Sequence, residues 1–255
     1  MSAPSRSKEA SGLRILAFES SAKAASVAIL QDGALLGEYF QNSGQTHSRT
    51  LAKMAEDLLA NCDLTVAGID AVAVAAGPGS FTGVRIGVAA AKGLAWAREL
   101  PCYGVSTLEA MVRGAAMCDG VYCACMDARR AQVYNAVFSV EDGKLLRLSE
   151  DRAISIEELG AVLKNLEKAI FLVGDGAELC YNTLRVSIPA LCLLPEHLRG
   201  QHASGTALAA QAKIDAGEPG SGLELIPSYL RLSQAERTRI EKENMGKCLQ
   251  KGNEL

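Results

Sequence analysis

Large rings are scarce in this chain: tryptophan occurs once, phenylalanine five times and tyrosine six times in 255 residues. A core built without them must close through Ala, Gly, Val and Leu, so helices and sheets are expected to pack closely. Histidine is scarcer still, at three: His47, His197 and His202. No H-E-x-x-H pair occurs, so a zincin-type protease is not supported. Lys and Arg are scattered and the net charge is −3. A protein that grips nucleic acid unaided presents a basic face, because phosphate neutralisation supplies most of the affinity. No apolar run approaches the roughly 18 residues of a membrane span. The opening "MSAPSRSKEASG" lacks the apolar centre of a leader. The expectation is a cytoplasmic protein without membrane contact.

Cysteine is not scarce, at eight, yet no C-x-x-C pair exists. Most of the cysteines sit in apolar segments and read as buried reduced thiols. Cys123 and Cys125 in "VYCACM" share one face of a strand. A metal site on Cys118, Cys123 and Cys125 is the alternative.

Along the chain, "RILAFESSAKAASVAIL" (14–30) reads as strand, polar turn around Ser20 to Lys23, strand. Asp32 and Gly33 form a hairpin turn into a third strand, "GALLGEYFQ". From Ser48 the apolar positions Leu51, Met54, Ala55, Leu58 and Leu59 mark a helix. Strand "IDAVAVAA", the loop "GPGS", a long helix to about Arg98 and strand "CYGV" follow. "STLEAMVRGAAM" starts a helix capped by Ser106, with Glu109 completing a capping box.

Near Gly120 the order restarts. "VYCACMDARRAQVYNAVF" is strand, acidic turn, strand; a third strand lies around "LLRLSEDRAI". Then come a helix over "SIEELGAVLKNLEK", strand–glycine turn–helix in "AIFLVGDGAELC", strand "LCLLP", and a last helix "SGTALAAQAKIDAG" ended by Gly217. Three strands, helix, strand, glycine turn, helix therefore occur twice. This predicts an α/β fold of two lobes, with duplicated βββαβα order, of the actin, hexokinase and Hsp70 (ASKHA) class. The expected divisions are a disordered 1–12, lobe I over 13–116, lobe II over 117–202, a helix and segment returning toward lobe I over 203–232, and a mobile tail over 233–255.

In that class the hairpin turns pinch nucleotide phosphates. Here Glu19, Ser20 and Ser21, with Lys23, stand at the first turn, Asp127 and Arg129 at the second, and Gly174, Asp175 and Gly176 in the loop that carries adenosine. "DARRAQ" is no glycine-rich clasp, so the cleft reads as a degenerate nucleotide site with no catalytic residue. The loop Gly77–Gly83 is neither a Walker A loop, having no Lys after Gly83, nor the dinucleotide fingerprint. Gly79, Gly83, Gly87, Ala91 and Ala95 instead recur every four residues. A glycine inside a helix costs about 1 kcal/mol against alanine, so a compensating close approach is required. The stripe packs either on the protein's own sheet or on a helix of another subunit. His47 would need a second histidine one turn later to make a metal pair; Leu51 stands there.

"ILAFESSAKAASVAIL", "THSRTL", "AVAAGPGSFTGVRIGVAAAKGLA", "GVSTLEA", "DARRAQVY" and "PSYLR" together resemble the TsaB (YeaZ) family, from about Leu13 to Arg231. The resemblance implies a non-catalytic, pseudoenzyme partner of TsaD. TsaD transfers threonylcarbamoyl from threonylcarbamoyl-AMP to the tRNA adenosine beside the anticodon. TsaE, an ATPase, joins the assembly, and tRNA is met only through the complex. It further implies an interface helix carrying Gly79, Gly83, Arg85, Gly87, Ala91 and Ala95, serving TsaD or a second copy of the chain. No cofactor is required and no metal held, with room for weak or interface-bound ATP or ADP. Glu19 departs from the family's more frequent Asp. The rivals are a self-sufficient ASKHA-type phosphotransferase and a metallopeptidase.

Overall fold

A computed structural model describes residues 12–231, apart from 167 and 221. Two sheets organise it. In lobe I, β1 (Arg14–Glu19), β2 (Ala25–Gln31) and β3 (Ala34–Gln41) form an antiparallel meander, and β4 (Ala71–Ala75) and β5 (Cys102–Val105) extend it in parallel on the other side of β1. The resulting order is β3-β2-β1-β4-β5. Lobe II repeats it as β8-β7-β6-β10-β11, from β6 (Gly120–Asp127), β7 (Gln132–Glu141), β8 (Lys144–Arg147), β10 (Ile170–Val173) and β11 (Leu191–Leu193). The duplicated α/β order expected from the sequence is present.

Helices cover both sheet faces, which is why the central strands are apolar throughout rather than alternating. In β1, Leu16 and Phe18 face α1 (His47–Asn61) and α2 (Phe81–Arg98); Ile15 and Ala17 face α7 (Ala203–Asp215) on the opposite side. In lobe II one face meets α4 (Ile156–Leu163) and α5 (Ala177–Leu184). The other meets α3 (Thr107–Ala115), whose Leu108, Met111, Val112 and Ala115 join the lobe II core. The last helix of each half thus packs on the sheet of the other, and α3 and α7 touch where they cross. Small residues permit the crossing: a Cβ on Gly205 would stand 2.1 Å from the Ala110 carbonyl oxygen.

Several expectations need correction. The strand around "LLRLSEDRAI" is two strands, β8 and β9 (Arg152–Ser155), both paired to β7. Between them Asp151 is tied to Ser106 and Arg147, at 2.6 Å each, which turns the chain off the ladder. The helix over "SIEELGAVLKNLEK" ends at Leu163, where Asn165 Nδ2 donates to the Ala161 carbonyl. A short helix not expected, α6 (Glu196–Arg199), follows β11. The capping box at α3 is half made: Ser106 Oγ accepts from the Glu109 N–H, but the Glu109 carboxylate turns away to Arg113 and Arg147. At α4 the full box of Ser155 and Glu158 is formed. The disordered start over 1–12 concerns residues of which only Gly12 is described, and the tail over 233–255 and Cys248 lie outside the described residues.

Candidate functional site

Between the lobes lies a cavity of about 650 Å³. Lobe I contributes Ser21, Ala22 and Lys23 from the β1–β2 turn and Gly79 to Thr82 from the loop leading into α2 and its first residues. Lobe II contributes Asp127 to Arg129 and Asp175, and the chain segment Ser228 to Arg231 forms a further wall. Of the residues expected in a nucleotide cleft, Ser21, Asp127, Arg129 and Asp175 line this space. Glu19 and Ser20 lie beneath it, buried.

Their burial explains the glycine loop. The first hairpin turn rests directly on α2. A Cβ on Gly79 would stand 2.5 Å from the Ser21 carbonyl oxygen, on Gly83 2.1 Å from that of Ser20, and on Gly87 2.4 Å from Ser20 Oγ. Ser20 Oγ donates to the Gly83 carbonyl at 2.9 Å, and Ser80 N–H donates to Ser21 O at 2.6 Å. Gly83, Gly87, Ala91 and Ala95 are all buried inside the lobe. The stripe is therefore intramolecular, which corrects its assignment to a partner, and Gly87→Leu would disrupt the fold rather than an interface. Of that set only Arg85 is exposed. The outward face of α2 carries Thr82, Arg85, Ala89, Gly93, Trp96 and Ala97, flanked by half-buried Ile86 and Ala90. Trp96 is 70% exposed. The sequence held a signal for this second face, since α2 is apolar or small nearly all round.

Glu19 Oε1 accepts from Ser21 N–H at 2.6 Å, while its Oε2 is buried with no protein partner. Burial pushes its carboxyl up to about 7; hydrogen bonds from Ser21 and Ser20 oppose the rise and nearby Asp175 adds to it. Burial likewise raises Asp175, against a hydrogen bond from Gln201 Nε2.

The remaining parts do not fit a phosphate clasp. In the second turn Arg129, Arg130 and Ala131 all hold positive φ, at 63°, 57° and 54°, a conformation costly to side-chain-bearing residues. The Arg129 N–H donates to Asp127 Oδ1 at 2.7 Å. Gly174 N–H donates to Arg199 O and Gly176 N–H to Cys125 O, both at 3.0 Å, so the glycine loop spends these amides on the protein itself. Gly174 and Gly176 pack on the end of β6, leaving Asp175 as their reach into the cavity.

His47 opens α1, and its Nε2 stands 2.9 Å from the Ala22 carbonyl, which can only accept, so Nε2 is the donor of this hydrogen bond. Leu51, one turn on, is 1% exposed in the lobe I core. Cys123 and Cys125 do share a face, their sulfurs 3.6 Å apart, and Asn135 Nδ2 donates to Cys123 Sγ at 3.2 Å. Cys118 lies exposed before β6, so the alternative metal trio is not assembled. Among the described residues no group of three His, Cys, Asp or Glu is arranged for a metal ion, and no helix is long and apolar enough to cross a membrane.

A family model described as "TsaD: tRNA N6-adenosine threonylcarbamoyltransferase" matches residues 38–236. The chain is 30% identical over 234 residues to the tRNA threonylcarbamoyladenosine biosynthesis protein TsaB of Bacillus subtilis (strain 168), covering 91% of this chain and 100% of that protein. It is 37% identical over 149 residues to the protein of the same name from Escherichia coli (strain K12), covering 58% of this chain and 64% of the relative. The solved structure of YeaZ from Pseudomonas aeruginosa superposes with a TM-score of 0.71 at 27% identity, over 86% of this chain and 100% of that one.

Proposed function

The chain belongs to the TsaB (YeaZ) family, and from that membership we propose that it is a non-catalytic subunit of the threonylcarbamoyladenosine-forming machinery of tRNA. In this reading it binds a TsaD-type subunit and activates it for transfer of threonylcarbamoyl from threonylcarbamoyl-AMP to the adenosine beside the anticodon. TsaE joins the assembly and tRNA is met through the complex. The observation that carries the reading is the outward face of α2. Ala89, Gly93 and Ala97 give it a flat centre, and Trp96, 70% exposed, stands at its edge. An apolar helix face left in solvent is the kind of surface that a second helix covers. The same face would serve a homodimer when TsaD is absent.

The phosphotransferase rival needs phosphate-binding amides, and those of Gly174 and Gly176 are already bonded to protein carbonyls. The metallopeptidase rival needs a second histidine where Leu51 fills the core.

The functional test mixes the purified chain with TsaD, TsaE, ATP, threonylcarbamoyl-AMP and unmodified tRNA, omitting each in turn. Modification that requires this chain, without ATP turnover by the chain alone, supports the subunit reading. TsaD working equally well without it, or ATP hydrolysis by the chain alone, sinks it. At the surface, Ala89→Arg should abolish TsaD binding in calorimetry while thermal unfolding stays unchanged, because the side chain leaves the core untouched. Undiminished binding would move the interface elsewhere.

A further inference from the structure

The segment following α7 has no role in the reading above, although "PSYLR" is one of the motifs that carry the resemblance. Leu225, 7% exposed, anchors it in the lobe I core. Gly104 makes room for this anchor, since a Cβ there would stand 2.2 Å from the leucine side chain. The chain then runs beside α2. Lys92 Nζ donates to the Leu225 carbonyl at 2.9 Å, and the Ser228 N–H donates to Ala76 O at 2.7 Å. Gly77, with φ +112°, passes so close that a Cβ would lie 2.5 Å from Ser228 O.

Tyr229 next stacks on Phe81, centroids 4.6 Å apart. Its hydroxyl accepts from Arg85 Nε at 2.7 Å, and the Arg85 guanidinium lies 3.8 Å over the Phe81 ring. Finally Arg231 reaches across the cleft, its Nη1 donating to the Ala128 carbonyl of the lobe II turn at 2.7 Å. One strand of chain is thereby fixed at both lobes, and between its two ends it holds a side chain of the outward α2 face.

We propose that Pro227–Arg231 is a clasp across the interlobe cleft, and that Tyr229 and Arg231 are positioning residues that present Arg85 to the partner subunit. The inference rests on the α2 face being the partner face. An arginine on an exposed helix ordinarily samples many rotamers and forfeits that freedom on binding. Here the stack and the tyrosine hydroxyl hold the guanidinium in place beforehand, and its remaining N–H groups, unbonded among the described residues, face a carboxylate or carbonyl acceptor on the partner. The docking of Tyr229 in turn depends on the segment being pinned at its far end by Arg231. A change at the lobe II turn is then felt at the partner face without any movement of α2 itself.

The test measures TsaD binding by titration calorimetry for the wild-type chain and for Arg85→Ala, Tyr229→Phe, Arg231→Ala, Arg231→Lys and the double variant Arg85→Ala/Tyr229→Phe. Thermal unfolding is followed for each. Tyr229→Phe keeps the stack and removes only the hydroxyl. The expected result is about tenfold weaker binding for Arg85→Ala, Tyr229→Phe and Arg231→Ala. Arg231→Lys should recover most of the loss, because an ammonium can still reach the Ala128 carbonyl. The double variant should be no weaker than Arg85→Ala alone, since the hydroxyl acts only through the arginine. Melting midpoints should stay within a few degrees of wild type. Wild-type binding that Tyr229→Phe and Arg231→Ala leave unchanged would overturn the clasp alone. So would losses that add in the double variant, or weakening matched by a collapse in thermal stability. A wild-type chain that does not bind TsaD at all overturns the partner reading and the clasp with it.

Discussion

Glu19 retains its proton where a free glutamate would lose it. An unfolded chain ionises this carboxyl near 4.5, whereas the folded one does so at about 7. Below the lower value both states are protonated and folding loses nothing. Between the two values the unfolded chain releases a proton that the folded chain keeps, so stability falls as pH rises. At about 1.4 kcal/mol per pH unit the loss approaches roughly 3 kcal/mol by neutrality and then levels off. Glu19→Gln should remove this slope. Urea unfolding at several pH values from about 4 to about 8 checks it, and equal slopes in both proteins would refute it. One buried and one exposed glycine of α2 make a paired prediction. Gly83→Ala drives a methyl toward the Ser20 carbonyl and should cost about 2 kcal/mol or more. Gly93→Ala meets nothing within 4 Å and should add about 1 kcal/mol of stability. Thermal melts of both variants decide the matter: equal shifts would mean that the helix is turned otherwise.

Helix ends show how separate segments are joined. The N-terminus of α7 is capped from another element: Glu38 on β3 accepts from the Ser204 N–H and hydroxyl and from Ser26 Oγ, and stands 3.4 Å from His202 Nδ1. Burial opposes the ionisation of Glu38, but the hydrogen bonds from His202, Ser204 and Ser26 prevail and hold it below its usual range. The same hydrogen bond with Glu38 raises His202 against the effect of its own burial. The contribution of His202 is thus complete below its ordinary value of 6.5 and is lost as pH rises through the raised one. At α4 the cap is local, and Ser155→Ala should cost about 1 kcal/mol of stability in chemical denaturation. This contrast marks what the sequence could disclose. Ser155 and Glu158 cap within one turn, so the spacing sufficed. Ser106 and Glu109 have the same spacing, but Arg147, from the next lobe, competes for the carboxylate. In α2 the glycines announced a close neighbour without naming it, because the Ser20–Ser21 turn lies some sixty residues upstream. The cleft turns were legible from their acidic residues. The clasp was not, since Ala76, Arg85 and Ala128 are scattered and ordinary in composition.

At the scale of the whole molecule, two halves with the same strand order do not amount to two independent units. Leu108, Met111 and Val112 of α3 are buried in the lobe II core. Ala203, Ala207 and Ala210 of α7 are buried against the lobe I sheet. Arg147 adds a polar tie, bridging Glu109 at 3.0 Å and Asp151 at 2.6 Å, while Ser106 holds the same aspartate. Neither core closes without a helix from the other half. Calorimetric unfolding should therefore show one transition whose van't Hoff and calorimetric enthalpies agree. Two resolved transitions would mean that the crossing helices contribute little.

The crossing also bears on how the protein is made. A chain leaves the ribosome N-terminus first, and domains that are contiguous in sequence can fold as they emerge. Here the nascent lobe I has all of its strands by Val105, but the helix that covers one face of its sheet ends only at Asp215. During translation of the intervening hundred or so residues, that face of β1, β2 and β4 is exposed to water and to other nascent chains. A stop codon or ribosomal stall in this interval would release a product with an uncovered sheet face, fit for aggregation or chaperone capture rather than for a half-working lobe.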